Sequence, residues 1–355
     1  MKIALIEPYY GGSHQVWADG YAAVSRHSVD LITHPARFWK WRMHGAFLTL
    51  ADELGAHIEE NGPPDVILAS SMMNVAAFAG AIRHVAPGIP IAVYFHESQF
   101  TYPLSPADKT DLTYPMKNWV SAAVADRVIF NSEFHRSVFR EEAMRFLNVF
   151  PEDKHIHRVD DVLDAAIVLP VGIDLTSLLD ADTSRPGPPL IVWNHRWEHD
   201  KKPKYFFKTL FELDAGGLDF RLIILGQSFR KKPEIFSEAV DKLQQRIIHC
   251  GFVESRDEYA QLLAQGDIVV STAKHEFYGI SVIEAVRAGC IPLLPERLSY
   301  PELFPAQYLY KDHGLHNTLK SYLVNPDKID RVGLKALTEC FSWPYLSKKY
   351  ISWLS

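Results

Sequence analysis

The stretch Lys274–Cys290, KHEFYGISVIEAVRAGC, carries two glutamates eight positions apart, on either side of Gly279. Glycine favours non-helical backbone, and the apolar residues after it predict a buried helix over about 280–288. Glu276 is then expected on a loop and Glu284 inside the helix. A helix that begins after glycine presents N–H groups to an anion, so the two acids would contact separate parts of one extended ligand. On this spacing alone, two solvated glutamates are the simpler interpretation, because short motifs recur by chance.

Short apolar runs alternate with helix-like segments on both sides of this stretch. The runs rich in β-branched residues are predicted strands: Lys2–Glu7, Asp65–Ser70, Ile91–His96, Arg127–Ser132, Ala166–Pro170, Leu190–Arg196, Phe220–Gly226, Arg246–Phe252, Asp267–Thr272 and Cys290–Pro295. Continuous apolar strands separated by helices predict parallel sheets that are covered on both faces.

The pattern restarts after Asp180–Pro189, DADTSRPGPP, the richest cluster of Pro and small polar residues in the chain. We therefore predict an α/β protein with two doubly wound, Rossmann-like domains that face each other across a cleft. The first domain is expected over residues 1–180, the hinge over 181–189 and the second domain over 190–355. The aromatic tail at 341–355, FSWPYLSKKYISWLS, is a candidate to pack back on the first domain.

The composition is that of a folded, soluble protein: 355 residues, 47% hydrophobic and 23% charged. The net charge of −6 provides no global basic field, so nucleic-acid binding would have to use a local patch. Cys250, Cys290 and Cys340 lack metal-ligand spacing and fit reduced thiols, which favours a cytoplasmic location. The apolar run at the N-terminus is too short for a signal peptide or a membrane span, and no membrane partner is expected.

A glycine pair follows the first predicted strand. In doubly wound sheets, ligands bind at the carboxyl ends of the strands. Gly11 and Gly12 allow close backbone approach to an anion, and Ser13 is placed to cap the next helix. The alternative is an ordinary strand-to-helix turn, since one glycine pair is a weak signal.

Three further polar residues follow strands. Arg196 and Lys201 share a loop, where Arg offers a planar fork to phosphate oxygens and Lys a point charge. His96 is a titratable group at a strand end in the first domain. A solvated basic loop and a structural histidine are the alternatives. Taken with the glycines, these groups predict a diphosphate site. Asp180 and Asp182 have metal-motif spacing but lie in the hinge cluster, so no metal ion is expected.

At this point the residues resemble a known family. Arg196 and Lys201, with Glu276 and Glu284 around Gly279, look like the second-domain signature of retaining GT-B glycosyltransferases of the family 4-like group. The segments YGGSH, ARFWKWR, YFHESQFTYP, VIFNSEFH, HRWEHDK, STAKHEFYG and YPELFPAQYLY, in this order, closely resemble tRNA-queuosine mannosyltransferases. The similarity extends through nearly the whole chain.

The resemblance implies a GT-B fold and a retaining, metal-independent hexosyltransferase without a cofactor, whose donor is GDP-mannose or another nucleotide sugar. Its implied catalytic residues are His96 and Glu276 at the donor sugar and Arg196 and Lys201 at the diphosphate. Further donor-binding positions are implied at Gly11, Gly12, Gly226, Phe252, Val253, Phe277, Gly279, Ile280 and Glu284. Of these, Glu284 would accept hydrogen bonds from the ribose, and Phe252 and Val253 would cradle the base. The implied mechanism is front-face transfer, in which the leaving phosphate takes the acceptor proton.

The resemblance also implies an acceptor, queuosine in the tRNA anticodon loop. The segment RFWKWRMH interleaves cations with aromatic rings, which suits an RNA loop whose bases stack on aromatic rings and whose phosphates pair with cations. The predicted acceptor residues are Arg37, Trp39, Lys40, Trp41 and Arg42. The alternative is an ordinary loop whose tryptophans insert into the core.

Two other functions are compatible with these residues. A GT-B glycosyltransferase with a lipid, glycan or small-molecule acceptor would use the same donor site and would be active without tRNA. A nucleotide-sugar-binding protein or a hydrolysing epimerase would bind the nucleotide, or release free sugar, without making a transfer product.

Overall fold

The structure is a computed structural model that describes residues 1–102, 111–178, 185, 187–228 and 233–353. Several sequence predictions fall outside these ranges: Pro103 of the YFHESQFTYP segment, Asp180, Asp182, and most of the predicted hinge.

The chain forms two compact units. The first contains Met1–Ile173 and Trp343–Ser355, and the second contains Asp174–Ser342. The C-terminal tail from Trp343 onwards therefore belongs to the first unit. No helix in the described ranges is long and apolar enough to cross a membrane.

The first unit is built on a parallel sheet. Its described strands are β1 (Lys2–Tyr10), β2 (Ser28–Pro35), β3 (Val66–Ser70), β4 (Ile91–Phe95), β5 (Arg127–Phe130) and β6 (Ile167–Val168), in the order β2-β1-β3-β4-β5-β6. The helices are α1 (Ser13–Val24), α2 (Trp39–Asn61), α3 (Val75–Ile82), α4 (Thr113–Val124), α5 (Glu133–Asn148) and α6 (His157–Ala165). Every residue of β3 and β4 is buried, as expected for central strands with both faces covered.

The second unit repeats this architecture. Its described strands are β7 (Leu190–Asn194), β8 (Arg221–Leu225), β9 (Ile247–Gly251), β10 (Ile268–Val270), β11 (Ile291–Pro295) and β12 (Leu309–Tyr310), all parallel, in the order β12-β11-β10-β7-β8-β9. The helices are α7 (Pro203–Ala215), α8 (Ile235–Leu243), α9 (Arg256–Gln265), α10 (Ile280–Arg287), α11 (Tyr300–Leu303), α12 (Leu315–Val324) and α13 (Leu334–Glu339), and 3-10 turns lie at His199–Lys201, Ala306–Tyr308 and Pro326–Lys328.

The last helix, α14 (Trp343–Ser352), completes the first unit. The Trp343 ring lies so close to Gly20 and Gly172 that a Cβ on either glycine would come within 2.3 Å of it. The indole of Trp17 donates a 3.0 Å hydrogen bond to the Tyr350 hydroxyl. Truncating a buried aromatic side chain of this kind to alanine costs about 3–5 kcal/mol.

The predicted α/β fold class is confirmed, and each strand predicted from an apolar run is present. Two strands were missed. β2 is an edge strand with several partly exposed residues, so it lacks a continuous apolar run. β12 contains two residues, which is too short for any periodic signal.

Candidate active site

Glu276 and Glu284 lie before α10 and within it, on either side of its N-cap residue Gly279. Gly279 is the N-cap in a left-handed conformation (φ 102°, ψ 41°), which a β-carbon would strain. Glu276 lies on the loop before it, and Glu284 is 8% exposed on α10. Ile280, the first helical residue, is half-buried. The helix N-terminus therefore has the predicted backbone geometry.

Lys201 joins this loop to the 3-10 turn after β7. Its Nζ lies 3.4 Å from Glu276 Oε2 and 3.2 Å from Asp200 Oδ2, and it donates to the His275 carbonyl at 2.6 Å. Burial alone would lower the Lys201 pKa, but Glu276 and Asp200 outweigh burial and raise it. Burial would likewise raise the Glu276 pKa, but Lys201 outweighs it and lowers it. Both groups are therefore held in their charged forms.

Arg196 lies on the same loop and is half exposed. Its Nη2 is 3.3 Å from Glu198 Oε2, so the guanidinium pairs with a carboxylate that the sequence analysis did not single out. Burial raises the pKa of Glu198, and Arg196 opposes that shift. A half-exposed guanidinium beside a buried ammonium suits an anionic ligand.

Glu284 is held by residues that sequence reasoning missed. Arg256 Nη1 donates to its Oε1 at 2.7 Å, and the Tyr259 hydroxyl donates to its Oε2 at 2.7 Å. Asn194 Nδ2 in turn donates to that hydroxyl at 2.7 Å. The signal that could have found them is Ser255, which caps α9 and places Arg256 and Tyr259 in its first turn.

The remaining donor-site predictions fall on loops at the carboxyl ends of the strands. Phe252 is 61% exposed after β9, and Val253 is half-buried. Phe277 is buried, with its ring against His275. Gly226 has φ 138°, and a Cβ there would lie 1.8 Å from the His195 carbonyl oxygen, so only glycine fits. Burial lowers the pKa of His195 to about 4, with Lys201 adding to the effect.

In the first unit, the turn after β1 needs both of its glycines. A Cβ on Gly11 would lie 2.6 Å from the Ala36 Cβ, and Gly12 has φ 55° and ψ −131°. Gly12 is the N-cap of α1, and no side chain caps this helix. The expectation that Ser13 caps α1 is therefore wrong, since Ser13 is already the first helical residue.

His96 follows β4 and is buried beside a carboxylate–histidine cluster. Its ring centroid lies 4.1 Å from that of His14, whose Nδ1 is 3.1 Å from Glu7 Oε2 and whose Nε2 is 3.2 Å from Glu97 Oε2. Burial lowers the His96 pKa well below its ordinary value, and His14 lowers it further. His96 is therefore a neutral hydrogen-bonding group at neutral pH.

Ligand atoms of Glu7, His14 and His96 lie within 4.8 Å of one another, the one group with metal-ligand spacing among the described residues. His14, however, contacts a carboxylate oxygen through each ring nitrogen. Burial would lower its pKa, but Glu7 and Glu97 outweigh burial and raise it to about 10. A metal ion would have to displace a proton from this doubly donating ring.

The predicted acceptor residues lie at the start of α2. Arg37 and Lys40 are exposed, Trp41 is 66% exposed, and the adjacent Phe38 is 79% exposed. Trp39 is half-buried. Neither tryptophan inserts into the core, so the core-insertion alternative is wrong.

Among the predicted acceptor residues, Trp39 and Arg42 contact neighbouring groups of the first unit. The Trp39 ring centroid lies 5.2 Å from that of Tyr114 and 5.9 Å from that of Tyr102. Arg42 Nη1 is 3.0 Å from His34 Nδ1, and Nη2 donates to the Pro35 carbonyl at 3.1 Å. Arg42 therefore joins α2 to the end of β2.

Comparison with known proteins finds relatives for both units. The family described as tRNA-queuosine alpha-mannosyltransferase N-terminal matches residues 2–173, and the family of glycosyl transferases group 1 matches residues 179–318. The tRNA-queuosine alpha-mannosyltransferase of Drosophila melanogaster is 33% identical over 353 residues, covering 96% of this chain and 90% of that protein. The GDP-mannose:cellobiosyl-diphosphopolyprenol alpha-mannosyltransferase of Xanthomonas oryzae pv. oryzae is 25% identical, covering 91% and 82%.

Solved structures show the same fold. The Anabaena protein HepE in complex with UDP and glucose has a TM-score of 0.70 at 16% identity, with 100% of this chain and 99% of that chain covered. Sucrose-phosphate synthase from Thermosynechococcus elongatus has a TM-score of 0.70 at 16% identity, covering 99% and 97%. The fold is that of GT-B glycosyltransferases. Given the identity to the Drosophila protein over nearly its whole length, the chain belongs to the tRNA-queuosine alpha-mannosyltransferase family of glycosyltransferases.

Proposed function

We propose that this protein transfers mannose from GDP-mannose to queuosine in tRNA, with retention at the anomeric carbon. The observation that carries the proposal is the Lys201–Glu276 pair at the N-terminus of α10, a charged donor site in a chain 33% identical to a tRNA-queuosine alpha-mannosyltransferase. GDP-mannose is the donor named for two related mannosyltransferases, which supports it here. The proposal includes a cytoplasmic location, where tRNA is available.

In this proposal, the second unit binds the donor. Arg196 and Lys201 hold the diphosphate and neutralise the charge that develops as mannose leaves. Glu284 accepts hydrogen bonds from the ribose hydroxyls, oriented by Arg256. The exposed ring of Phe252 stacks on the base. The backbone at Gly226, Phe277, Gly279 and Ile280 completes the donor contacts.

In the proposed reaction, the side chains position the substrates, and none of them acts as a nucleophile. Glu276, kept ionised by Lys201, accepts hydrogen bonds from mannose hydroxyls near the reacting carbon. Neutral His96 contacts the same sugar, and the backbone at Gly11 and Gly12 approaches the phosphates. The leaving phosphate takes the proton of the acceptor hydroxyl as the new glycosidic bond forms on the same face. No cofactor and no metal ion enters this scheme.

The acceptor contacts the start of α2. Exposed Phe38 and Trp41 offer two apolar rings for unpaired bases, and Arg37 and Lys40 offer charges for the phosphates around them. Trp39 and Arg42 support this surface through their contacts with Tyr114 and His34. Because the chain has a net charge of −6, this local patch has to supply the attraction for RNA.

The test is incubation of the purified protein with GDP-mannose and tRNA that carries queuosine, beside the same tRNA lacking it. Nucleosides are then analysed by mass spectrometry. We expect one added hexose on the queuosine-bearing tRNA only. Hexose transfer to neither tRNA by a preparation that binds GDP-mannose would refute the acceptor and leave the donor site standing.

Glu276→Gln is the catalytic control for this assay. It keeps the side-chain shape and leaves Lys201 paired with Asp200, so the fold should persist while transfer falls. Hexose addition by this variant at the wild-type rate would show that the activity does not come from the assigned site. A parallel measurement of free mannose distinguishes transfer from hydrolysis of the donor.

A further inference from the structure

A fully buried carboxylate lies under the glycine turn of the first unit. Glu7 is 0% exposed in β1, and its Oε1 accepts hydrogen bonds from the Tyr9 amide and the Ser70 hydroxyl, both at 2.9 Å. Its Oε2 contacts His14 Nδ1 at 3.1 Å. A buried carboxylate is costly unless it is paired in this way, so Glu7 fixes the position of the His14 ring.

His14 links buried Glu7 to Glu97, which is partly exposed. Its Nε2 lies 3.2 Å from Oε2 of Glu97, whose side chain is 20% exposed. Both glutamates offer carboxylate oxygens, which accept hydrogen bonds, so the partly exposed end of this cluster favours a ligand that donates hydrogen bonds.

His96 adds an unsatisfied atom beside the cluster. Its Nε2 is buried and has no hydrogen-bond partner in the described part of the chain. The residue is 7% exposed, and its ring lies 4.1 Å from that of His14. A buried polar atom without a partner costs stability, which is typical of an atom that a ligand satisfies.

We propose that Glu97 binds vicinal hydroxyl groups of a polyol substrate, with His96 as a second hydrogen-bonding group and with His14 and Glu7 as positioning residues. This inference rests on the proposed function, which supplies two polyols: the hexose of the donor and the hydroxyl-bearing queuosine of the acceptor. A carboxylate that accepts paired hydroxyl groups discriminates strongly against analogues that lack them.

The experiment compares Glu97→Gln with Asp30→Asn. Asp30 pairs with His57 at 3.0 Å in the same unit and belongs to no site described here, so it is a matched carboxylate–imidazole control. Binding of GDP-mannose and of GDP is measured by calorimetry, and transfer is measured against tRNA concentration. Loss of the Glu97 carboxylate should weaken the binding of one substrate, either GDP-mannose or the tRNA, by about tenfold to a hundredfold.

The two sources of the polyol give different results. If Glu97 binds the donor hexose, Glu97→Gln weakens GDP-mannose but not GDP. If it binds queuosine, donor binding is unchanged and KM for the tRNA rises. Unchanged donor binding together with unchanged transfer kinetics would overturn the proposal. If the wild-type protein binds GDP-mannose but modifies no tRNA, only the proposed function is refuted. The calorimetric comparison of GDP-mannose and GDP would then show whether Glu97 binds the hexose.

His14→Gln tests the positioning role. It should reproduce the substrate-specific defect of Glu97→Gln, and the double variant should be no worse than either single one, since both act on one contact. If His14→Gln fails to fold, Glu7→Gln/His14→Gln removes the two buried charges together. Additive defects, or a metal ion bound stoichiometrically to the purified protein through this cluster, would contradict the assignment.

Discussion

The ammonium of Lys201 lies 3.4 Å from the carboxylate of Glu276, and Lys201 is only 6% exposed. Asp200 Oδ2 lies 3.2 Å from the same ammonium, so Lys201 contacts two carboxyl groups. Such a group is not primarily a stability device, because its desolvation offsets most of its attraction. In the proposed function, the phosphates of the donor take up the Lys201 charge.

Replacing Lys201 by Met leaves buried Asp200 and half-buried Glu276 without the ammonium that they share. We expect a loss of about 3 kcal/mol in the free energy of unfolding, as for other broken buried pairs, and transfer below detection. Urea denaturation and the tRNA assay measure the two effects. Lys201→Arg keeps the charge and should recover much of the stability. Wild-type turnover in Lys201→Met would disprove the diphosphate role.

Glu284→Gln should weaken GDP binding by about tenfold, because hydrogen bonds to a charged group are worth roughly 1.5–3 kcal/mol. The sharper measurement compares GDP with an analogue that lacks the ribose hydroxyls. Wild-type protein should prefer GDP, and the variant should bind both about equally. A variant that still distinguished the two nucleotides would place the ribose elsewhere.

His14 predicts a specific pH dependence of stability. Glu7 and Glu97 outweigh burial and raise its pKa from 6.5 to about 10, so between these values the folded state binds more protons than the unfolded state. The stabilisation is therefore complete below pH 6.5 and is lost as the pH rises towards 10. The difference in unfolding free energy between wild type and His14→Gln should narrow across this range. A pH-independent difference would mean that His14 is neutral in the fold.

Arg37→Ala/Lys40→Ala should weaken tRNA binding and reduce its dependence on salt. Each phosphate contact on a single-stranded segment contributes about 0.7 to the slope of log K against log salt, so the slope should fall by about 1.4. Arg145→Ala/Arg158→Ala removes two exposed cations elsewhere in the same unit and is the control. Equal slopes for all three proteins would exclude the start of α2 as the RNA surface.

Phe38→Ala/Trp41→Ala should separate stacking from charge. Both rings are largely exposed, so their loss should leave the unfolding free energy nearly unchanged. Stacking contributes about 1–3 kcal/mol per base, so tRNA affinity should fall by at least tenfold at an unchanged salt slope. If the variant bound tRNA with wild-type affinity, the two rings would not stack on bases, and only the charged residues would contact the tRNA.

Strand positions and strand-end residues could be predicted from the sequence because buried parallel strands are continuous apolar runs. The loop position of Glu276 and the helical position of Glu284 followed from Gly279 and the apolar residues after it. β2 could not be found in this way, since an edge strand exposes part of its residues. The Ser13 cap was wrong because Gly12 takes a backbone conformation that places Ser13 inside the helix.

The Ser255 cap could have placed Arg256 and Tyr259 in the first turn of a helix, but the sequence does not show which predicted residue they contact. Arg256 contacts Glu284 from a separate helix. His14 contacts both Glu7 and Glu97, which are 90 positions apart in the sequence. Such contacts depend on strand order, which apolar periodicity does not encode. The family resemblance implies which positions would contact the ligand, but it does not show the side chains that orient them.

The return of α14 to the first unit has a consequence for synthesis of the protein. The core under His96 includes Trp17, whose indole donates to the Tyr350 hydroxyl, and exposed Arg127 in the same unit donates to the Trp353 carbonyl at 2.7 Å. The first unit begins to emerge from the ribosome before the second unit but is completed after it, because its final helix emerges only after the whole second unit. Until then, we expect the aromatic side chains that pack on this helix to stay exposed, which favours aggregation or chaperone binding of the nascent chain.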